Sequence, residues 1–269
     1  MTQAAEARQP DVPGGLPGDD PKEKFKQLKF LIHSRWGLGK TTLLSSAVFD
    51  PRTAPMMVLD FEGGSDLRFE GLPKDKYTIK HIQTVSDMSK IYNYLKEGNH
   101  PYKSVMLDSL TEIQKLGLHE FVSPGTKFPQ ATFDSLVVNV KTAESQHWGK
   151  SGNQMGMLVR LFKDLPMHVF YTALTQTAVD ETTKKVSYNV ALPGKQADEV
   201  PGIPDIVGYI DVQKDPKTKK EIRVVHFQPS GRIVAKDRSD ALGAGMVYNH
   251  GEKFVTKMLD TIYDAYGIK

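Results

Sequence analysis

The sequence predicts an α/β domain with a mostly parallel central sheet, helices on both faces and a β-hairpin toward the C-terminal end. Three observations carry that expectation. From Leu28 onward, short apolar runs alternate with segments of helical period, the pattern of strands joined by covering helices. The first three runs each end in a polar residue or loop, where open α/β sheets gather their chemistry. The length, 269 residues, suits one large α/β domain with appendages.

The elements follow in chain order. Residues 1–22 hold Pro10, Pro13, Pro17, Gly14, Gly15 and Gly18 beside Asp19 and Asp20, and read as a flexible arm. A core is expected over 23–240, and a tail with a docking helix over 241–269. The strands are Leu28–His33, Met56–Asp60, Ser104–Asp108 and Met167–Ala173. A helix of good propensity covers Thr42–Val48. A second begins near Ser86, carries Met88, Ile91 and Leu95 on one face and stops at Gly98. Ser109 and Glu112 have capping-box spacing and open a third, with Leu110, Ile113 and Leu116. Met155, Leu158, Val159, Phe162 and Leu165 mark a fourth, closed by Pro166. Between these two helices, Ser123-Pro124-Gly125 reads as a turn, Phe133 to Val140 as a short helix and Trp148–Gly152 as loop. Thr175–Asn189 reads as a polar stretch, Ile206–Val212 and Ile222–Phe227 as a hairpin split by Asp215-Pro216, and Glu252–Tyr266 as a last helix.

Composition removes several function classes. Hydrophobic residues make up 39% and charged residues 25%, which fits neither a disordered chain nor a membrane protein. No window approaches the ~18 apolar residues of a spanning helix, and the N-terminus lacks a secretory apolar region, so the cytosol is expected and no membrane partner. With no cysteine, disulfides, thiolate metal sites and a cysteine nucleophile are excluded. The eight histidines show no H-E-x-x-H spacing, and no G-x-S-x-G elbow marks a hydrolase triad. The net charge of +3 leaves any nucleic-acid contact to local clusters of Lys and Arg.

The strongest motif is Ser34-Arg35-Trp36-Gly37-Leu38-Gly39-Lys40-Thr41-Thr42, between a strand and a helix. It is a Walker A loop, G-x-x-x-x-G-K-[ST], with Ser34 in place of the first glycine. Glycines let backbone N–H groups curl around phosphates, Lys40 neutralises the β- and γ-charges, and the Thr41 hydroxyl ligates Mg²⁺. ATP and Mg²⁺ are therefore the expected cofactors. Ser34 is expected to cost backbone freedom there, because a Cβ disfavours positive φ. Val105-Met106-Leu107-Asp108 has the form of a Walker B strand that delivers a carboxylate to the metal. Glu62, in Asp60-Phe61-Glu62-Gly63-Gly64, can reach over the strand end to orient and deprotonate a water; a turn carboxylate and a helix N-terminal partner are the competing readings.

Strand, Walker A, helix, then D-x-E-G-G on the next strand and a Walker B ending Asp-Ser: over Leu28–Asp240 this order resembles the RecA-like ATPase core. More narrowly it resembles the phage ATP-binding recombination proteins of the single-strand annealing type, of the kind called Sak-type RecA paralogues. The resemblance implies a RecA-like P-loop NTPase fold in which Lys40, Thr41 and Asp108 hold nucleotide and metal and Glu62 activates water. Thr172 then falls where a polar γ-phosphate sensor stands. Lys236 and Arg238 match a K-x-R element reaching a neighbouring subunit's nucleotide, against the alternative of a solvated basic pair. It further implies a homo-oligomer, ring or filament, that binds single-stranded DNA through two loops. Lys127, Lys141 and Lys150 would serve the first loop, and Lys184, Lys185 and Lys195 the second, each being equally readable as solvated charge. A single-strand-binding protein or a nuclease would be a fitting partner. Two rivals remain open: a P-loop motor or loader acting on duplex DNA or on protein, and a nucleotide-gated scaffold with little hydrolysis.

Overall fold

The computed structural model describes residues 21–122, 145–179, 181 and 184–268. A helical turn α1 (Pro21–Phe25) leads into β1 (Lys29–Ser34), α2 (Lys40–Ser45, continued by a 3₁₀ turn Ser46–Phe49), β2 (Met56–Asp60) and α3 (Ser65–Phe69). Then come β3 (Tyr77–His81), α4 (Val85–Glu97), β4 (Ser104–Asp108), α5 (Leu110–Val122) and α6 (Ser145–Lys163). The chain continues through β5 (His168–Val179), β6 (Val186–Val190), α7 (Gln196–Glu199), β7 (Ile206–Lys214), β8 (Glu221–His226), β9 (Lys236–Asp237), β10 (Gly245–Tyr248) and α8 (Phe254–Tyr266).

The strands lie in the order β10-β8-β7-β1-β5-β4-β2-β3, with β6 paired to β5 and β9 to β7. From β3 to β7 every neighbouring pair is parallel, and β8 and β10 extend the sheet antiparallel. Parallel pairing brings the C-terminal ends of β1, β2 and β4 to one edge. The register sets Asp60 beside Asp108 and Ser34 beside Leu174, so the polar strand ends of the sequence converge.

Successive side chains of a strand face opposite sides, and the core divides accordingly. Leu31, Leu59, Leu107 and Val169 pack with Leu95, Ile113, Val159 and Phe162 of α4, α5 and α6. Phe30, Val58, Met106 and Phe170 pack on the other face with Leu43 and Leu44 of α2 and Leu259 and Ile262 of α8. Each fully buried Leu, Ile or Phe stabilises the fold by roughly 1.5–3 kcal/mol, so both faces must be covered. The α/β class expected from the sequence, a mostly parallel central sheet covered by helices on both faces with antiparallel strands toward the C-terminal end, is the fold observed. Among the described residues no helix is long and apolar enough to cross a membrane.

Several elements differ from expectation. Trp148–Gly152 is not loop but the first part of α6. Two of its glycines face α7 closely: a Cβ on Gly152 would lie 3.2 Å from Gln196 Cγ, and one on Gly156 3.0 Å from Gln196 Oε1, so either would require the Gln196 side chain to shift. Thr175–Asn189 is not a plain polar stretch: β5 runs on to Val179 and pairs antiparallel with β6, Thr175 opposite Val190. Gln176 to Val179 of this hairpin are exposed, which is why no buried apolar run marked it. The expected turn at Ser123–Gly125 and the short helix around Phe133–Val140 lie outside the described residues.

Candidate active site

The site begins where β1 ends. Ser34 is extended and paired with Leu174, while the left-handed turns fall at Gly37 (φ 77) and Gly39 (φ 95). The expected cost of Ser34 is therefore absent, since the position that departs from the motif needs no positive φ. Its hydroxyl donates to the Arg35 carbonyl at 2.8 Å. Gly39 carries the first helical acceptor, taking the Leu43 N–H at 2.8 Å. The amides at the start of α2 thus have no partner within the helix, the arrangement that receives an anion.

Around this turn lies a cleft of about 330 Å³, lined by Trp36, Gly37, Gly39, Lys40, Thr41 and Thr42 on the loop side. Arg35 and Leu38 do not line it: the Arg35 guanidinium lies 5.9 Å from the centre of the Tyr188 ring on β6, and Leu38 packs on the apolar core. The Lys40 ammonium is 3.4 Å from the Arg35 carbonyl. Burial pushes its pKa down, and Asp108 and Glu62 pull it back up.

Asp108 is the hub. The Thr41 hydroxyl donates to Oδ2 at 2.8 Å and the Ser65 hydroxyl to the same oxygen at 3.3 Å, while the Thr172 hydroxyl donates to Oδ1. Burial raises the pKa of this carboxyl, and the Thr172 and Thr41 hydrogen bonds oppose the shift. A buried carboxylate beside a hydroxyl oxygen is the hard-oxygen pair that suits Mg²⁺. Thr41 and Asp108 are the residues that would hold it.

Glu62 stands on the loop after β2, built by Asp60. Asp60 Oδ1 accepts from the backbone N–H of Glu62 at 3.0 Å and of Gly63 at 2.9 Å, and Oδ2 from that of Ser65 at 3.1 Å. Glu62 Oε1 accepts from the Ser109 hydroxyl at 2.5 Å. Burial raises the Glu62 pKa, and the Ser109 hydrogen bond works against it.

Five cleft residues lie outside the sequence expectation: Arg68 on α3, Leu174 on β5, Arg223 on β8, Tyr248 at the end of β10 and His250 just beyond it. Tyr248 pairs across the ladder with Arg223, and the Tyr248 hydroxyl and Arg223 Nε are buried without a hydrogen-bond partner. Both lie on the β8–β10 side of Gly39, away from Asp108 and Glu62. The missing signal was β10 itself, whose short, half-exposed sequence Gly245–Tyr248 shows no strand pattern.

Lys236 and Arg238 lie elsewhere. Lys236 pairs with Val207 and Asp237 with Ile206, near the start of β7 and toward the edge of the sheet opposite the cleft. Both cations donate to the Gly202 carbonyl, at 2.9 and 3.0 Å, and Arg238 also approaches Asp205 Oδ1 at 3.4 Å. Burial, with Arg238 adding repulsion, lowers the Lys236 pKa to about 8. The chain's own cleft is not within their reach. Lys184 and Lys185 are exposed at the end of the β5–β6 hairpin, Lys195 is exposed before α7, and Lys150 is exposed on α6. Lys127 and Lys141 lie outside the described residues.

A glycine-turned loop opening onto a helix at the C-terminal edge of a parallel sheet, facing a strand-end aspartate, defines the P-loop NTPase class. The chain belongs to the AAA domain family, AAA_24, whose model matches residues 26–239. Among solved structures it is similar to a KaiC-like protein from the hyperthermophilic archaeon Pyrococcus horikoshii OT3, with 15% identity, 82% of this chain and 89% of that chain covered, and a TM-score of 0.41. It is also similar to the RadB recombinase, with 14% identity, 76% and 84% covered, and a TM-score of 0.43. No curated protein sequence matches it.

Proposed function

We propose that this protein is an ATPase of the phage single-strand annealing type, in which MgATP binding and hydrolysis within a homo-oligomer gate the binding of single-stranded DNA. The observation that carries the nucleotide reading is the convergence of the Thr41 and Thr172 hydroxyls on Asp108, beside Lys40 and across from Glu62. The loop amides and Lys40 bind the β- and γ-phosphates. Thr41 and Asp108 would hold Mg²⁺, which would supply screening of the phosphate charge. Glu62 takes the proton of the attacking water, its raised pKa making it a better base than an ordinary carboxylate. Thr172, whose hydroxyl donates to Asp108 Oδ1, would sense the γ-phosphate through that carboxylate. On the nucleoside side, Arg223 and Tyr248 offer the unpartnered polar groups described above. Lys236 and Arg238, remote from the chain's own cleft, suit a role at a neighbour's phosphates. The DNA reading draws support from Lys184 and Lys185, exposed at the end of the β5–β6 hairpin, where they could neutralise backbone phosphates.

ATP affinity and turnover of the wild type and Lys40→Ala, with single-stranded DNA, with duplex DNA and without DNA, test the proposal. Binding lost in Lys40→Ala and turnover stimulated by single strands are expected. Stimulation by duplex alone points to a motor or loader. Tight ATP binding with no turnover under any condition points to a nucleotide-gated scaffold, and undiminished binding in Lys40→Ala removes the nucleotide site.

A further inference from the structure

We propose that Ser109 is a positioning residue that aims the Glu62 carboxylate at the attacking water, an inference that rests on the reading of Glu62 as the base. The spacing of Ser109 and Glu112 looks like a helix cap, and the helix does begin at Leu110. The Ser109 carbonyl serves that helix, accepting from Glu112 N–H at 3.1 Å and Ile113 N–H at 3.0 Å. Its hydroxyl instead crosses to the neighbouring strand end and donates to Glu62 Oε1 at 2.5 Å.

The reason such a bond matters is the state of the rest of the Glu62 loop. Its backbone is already fixed: Asp60 takes the N–H groups of residues 62, 63 and 65, Phe61 N–H donates to the Asp108 carbonyl at 2.8 Å, and Ser65 ties its hydroxyl to Asp108. What remains free is the Glu62 side chain, an exposed stem with three rotatable bonds. Among the described residues its one hydrogen bond from a side chain comes from Ser109. Ser109 is fully buried, so the donor itself does not wander. One carboxylate oxygen is thereby held on a side chain that lines the cleft, which is the preorganisation that general-base catalysis uses. The residue touches neither nucleotide nor metal; it acts through Glu62.

The test is a mutant cycle on the full-length protein with Ser109→Ala, Ser109→Cys, Glu62→Gln and the double variant Ser109→Ala/Glu62→Gln. It measures kcat and KM for ATP and the affinity for a non-hydrolysable ATP analogue. Loss of a hydrogen bond to a charged group predicts a fall in kcat on the order of 10- to 100-fold in Ser109→Ala, with KM and analogue affinity unchanged. Ser109→Cys keeps nearly the same volume with a weak donor and is expected to show the same split even if Ser109→Ala folds poorly. The double variant should be no slower than Glu62→Gln alone, because the hydroxyl then has nothing to aim. Wild-type kcat in both Ser109 variants while Glu62→Gln is inactive overturns the proposal and leaves the base assignment standing. So do losses that multiply in the double variant. Wild-type turnover in Glu62→Gln instead overturns the reading beneath it.

Discussion

Lys29 offers a test of the frame that carries the phosphate loop. It is the first residue of β1 and only 1% exposed. Its ammonium donates to the Leu165 carbonyl at 2.8 Å and to that of Met167, and its backbone N–H donates to Asp205 Oδ2 at 3.0 Å. Burial, with repulsion from Lys24 added and attraction to Asp205 opposing, lowers its pKa from 10.5 to about 7. The depressed value fixes the sign. As pH rises past 7 the folded protein loses this proton, while the unfolded chain keeps it up to about pH 10.5. The unfolded state thus binds more protons between these limits, and stability rises with pH across that window. Below it the full cost of the buried charge is present, roughly 5 kcal/mol for a shift of that size. Between pH 7 and 9 the gain is about 2 kcal/mol, which moves a urea midpoint by roughly 1 M. Lys29→Met should lose that pH dependence, whatever offset the two orphaned carbonyls add. Urea unfolding of both proteins at pH 7 and pH 9 decides; equal slopes of stability against pH in wild type and Lys29→Met would refute the argument.

Other expectations follow from single contacts. Gly208→Ala places a Cβ 2.8 Å from Ile32, 2.9 Å from Val225 and 3.0 Å from Phe227, so thermal unfolding should report a loss of about 1–3 kcal/mol. Gly39→Ala must hold φ 95 with a side chain, and its ATP affinity is expected to fall by about tenfold or more while α2 still forms, as isothermal titration would show. Arg223→Ala removes a buried, unpartnered donor. It should weaken nucleotide binding by about tenfold without lowering the melting temperature of the ligand-free protein, and unchanged affinity would take Arg223 out of the site. In a pH–rate profile, kcat should decline on the acid side at a midpoint above 4.5, because burial raises the Glu62 carboxyl from that value, and Glu62→Gln should lack that limb.

How much of this could be read from the residues depends on where each is buried. Met56–Asp60 and Ser104–Asp108 match the structure residue for residue, because central parallel strands are wrapped on both faces and write themselves as unbroken apolar runs. Gly98 ends α4 in the left-handed conformation the sequence implied. Edge elements escaped: Tyr77–His81 is only partly buried and mixes Lys and His with apolar residues, so β3 has no such signature. That the Ser34–Thr42 loop, Asp108 and Glu62 would meet was legible because their motifs stand at the ends of apolar strand runs, which parallel pairing brings to one edge. The hydroxyl of Ser109 was not, since a local capping pattern and a contact with a residue 47 positions away read identically in one dimension. Arg223 and Tyr248 escaped for the same reason, meeting the loop only through the tertiary fold.

Trp36, the third residue of the phosphate loop, is 84% exposed at the lip of the cleft. The chain has two tryptophans, so Trp148→Phe leaves a single indole emitter one residue from the turn at Gly37. Closure of a nucleotide or a neighbouring subunit over that lip would dry the ring and shift its emission to shorter wavelength. The protein carries its own optical gauge of occupancy, readable in solution without a label.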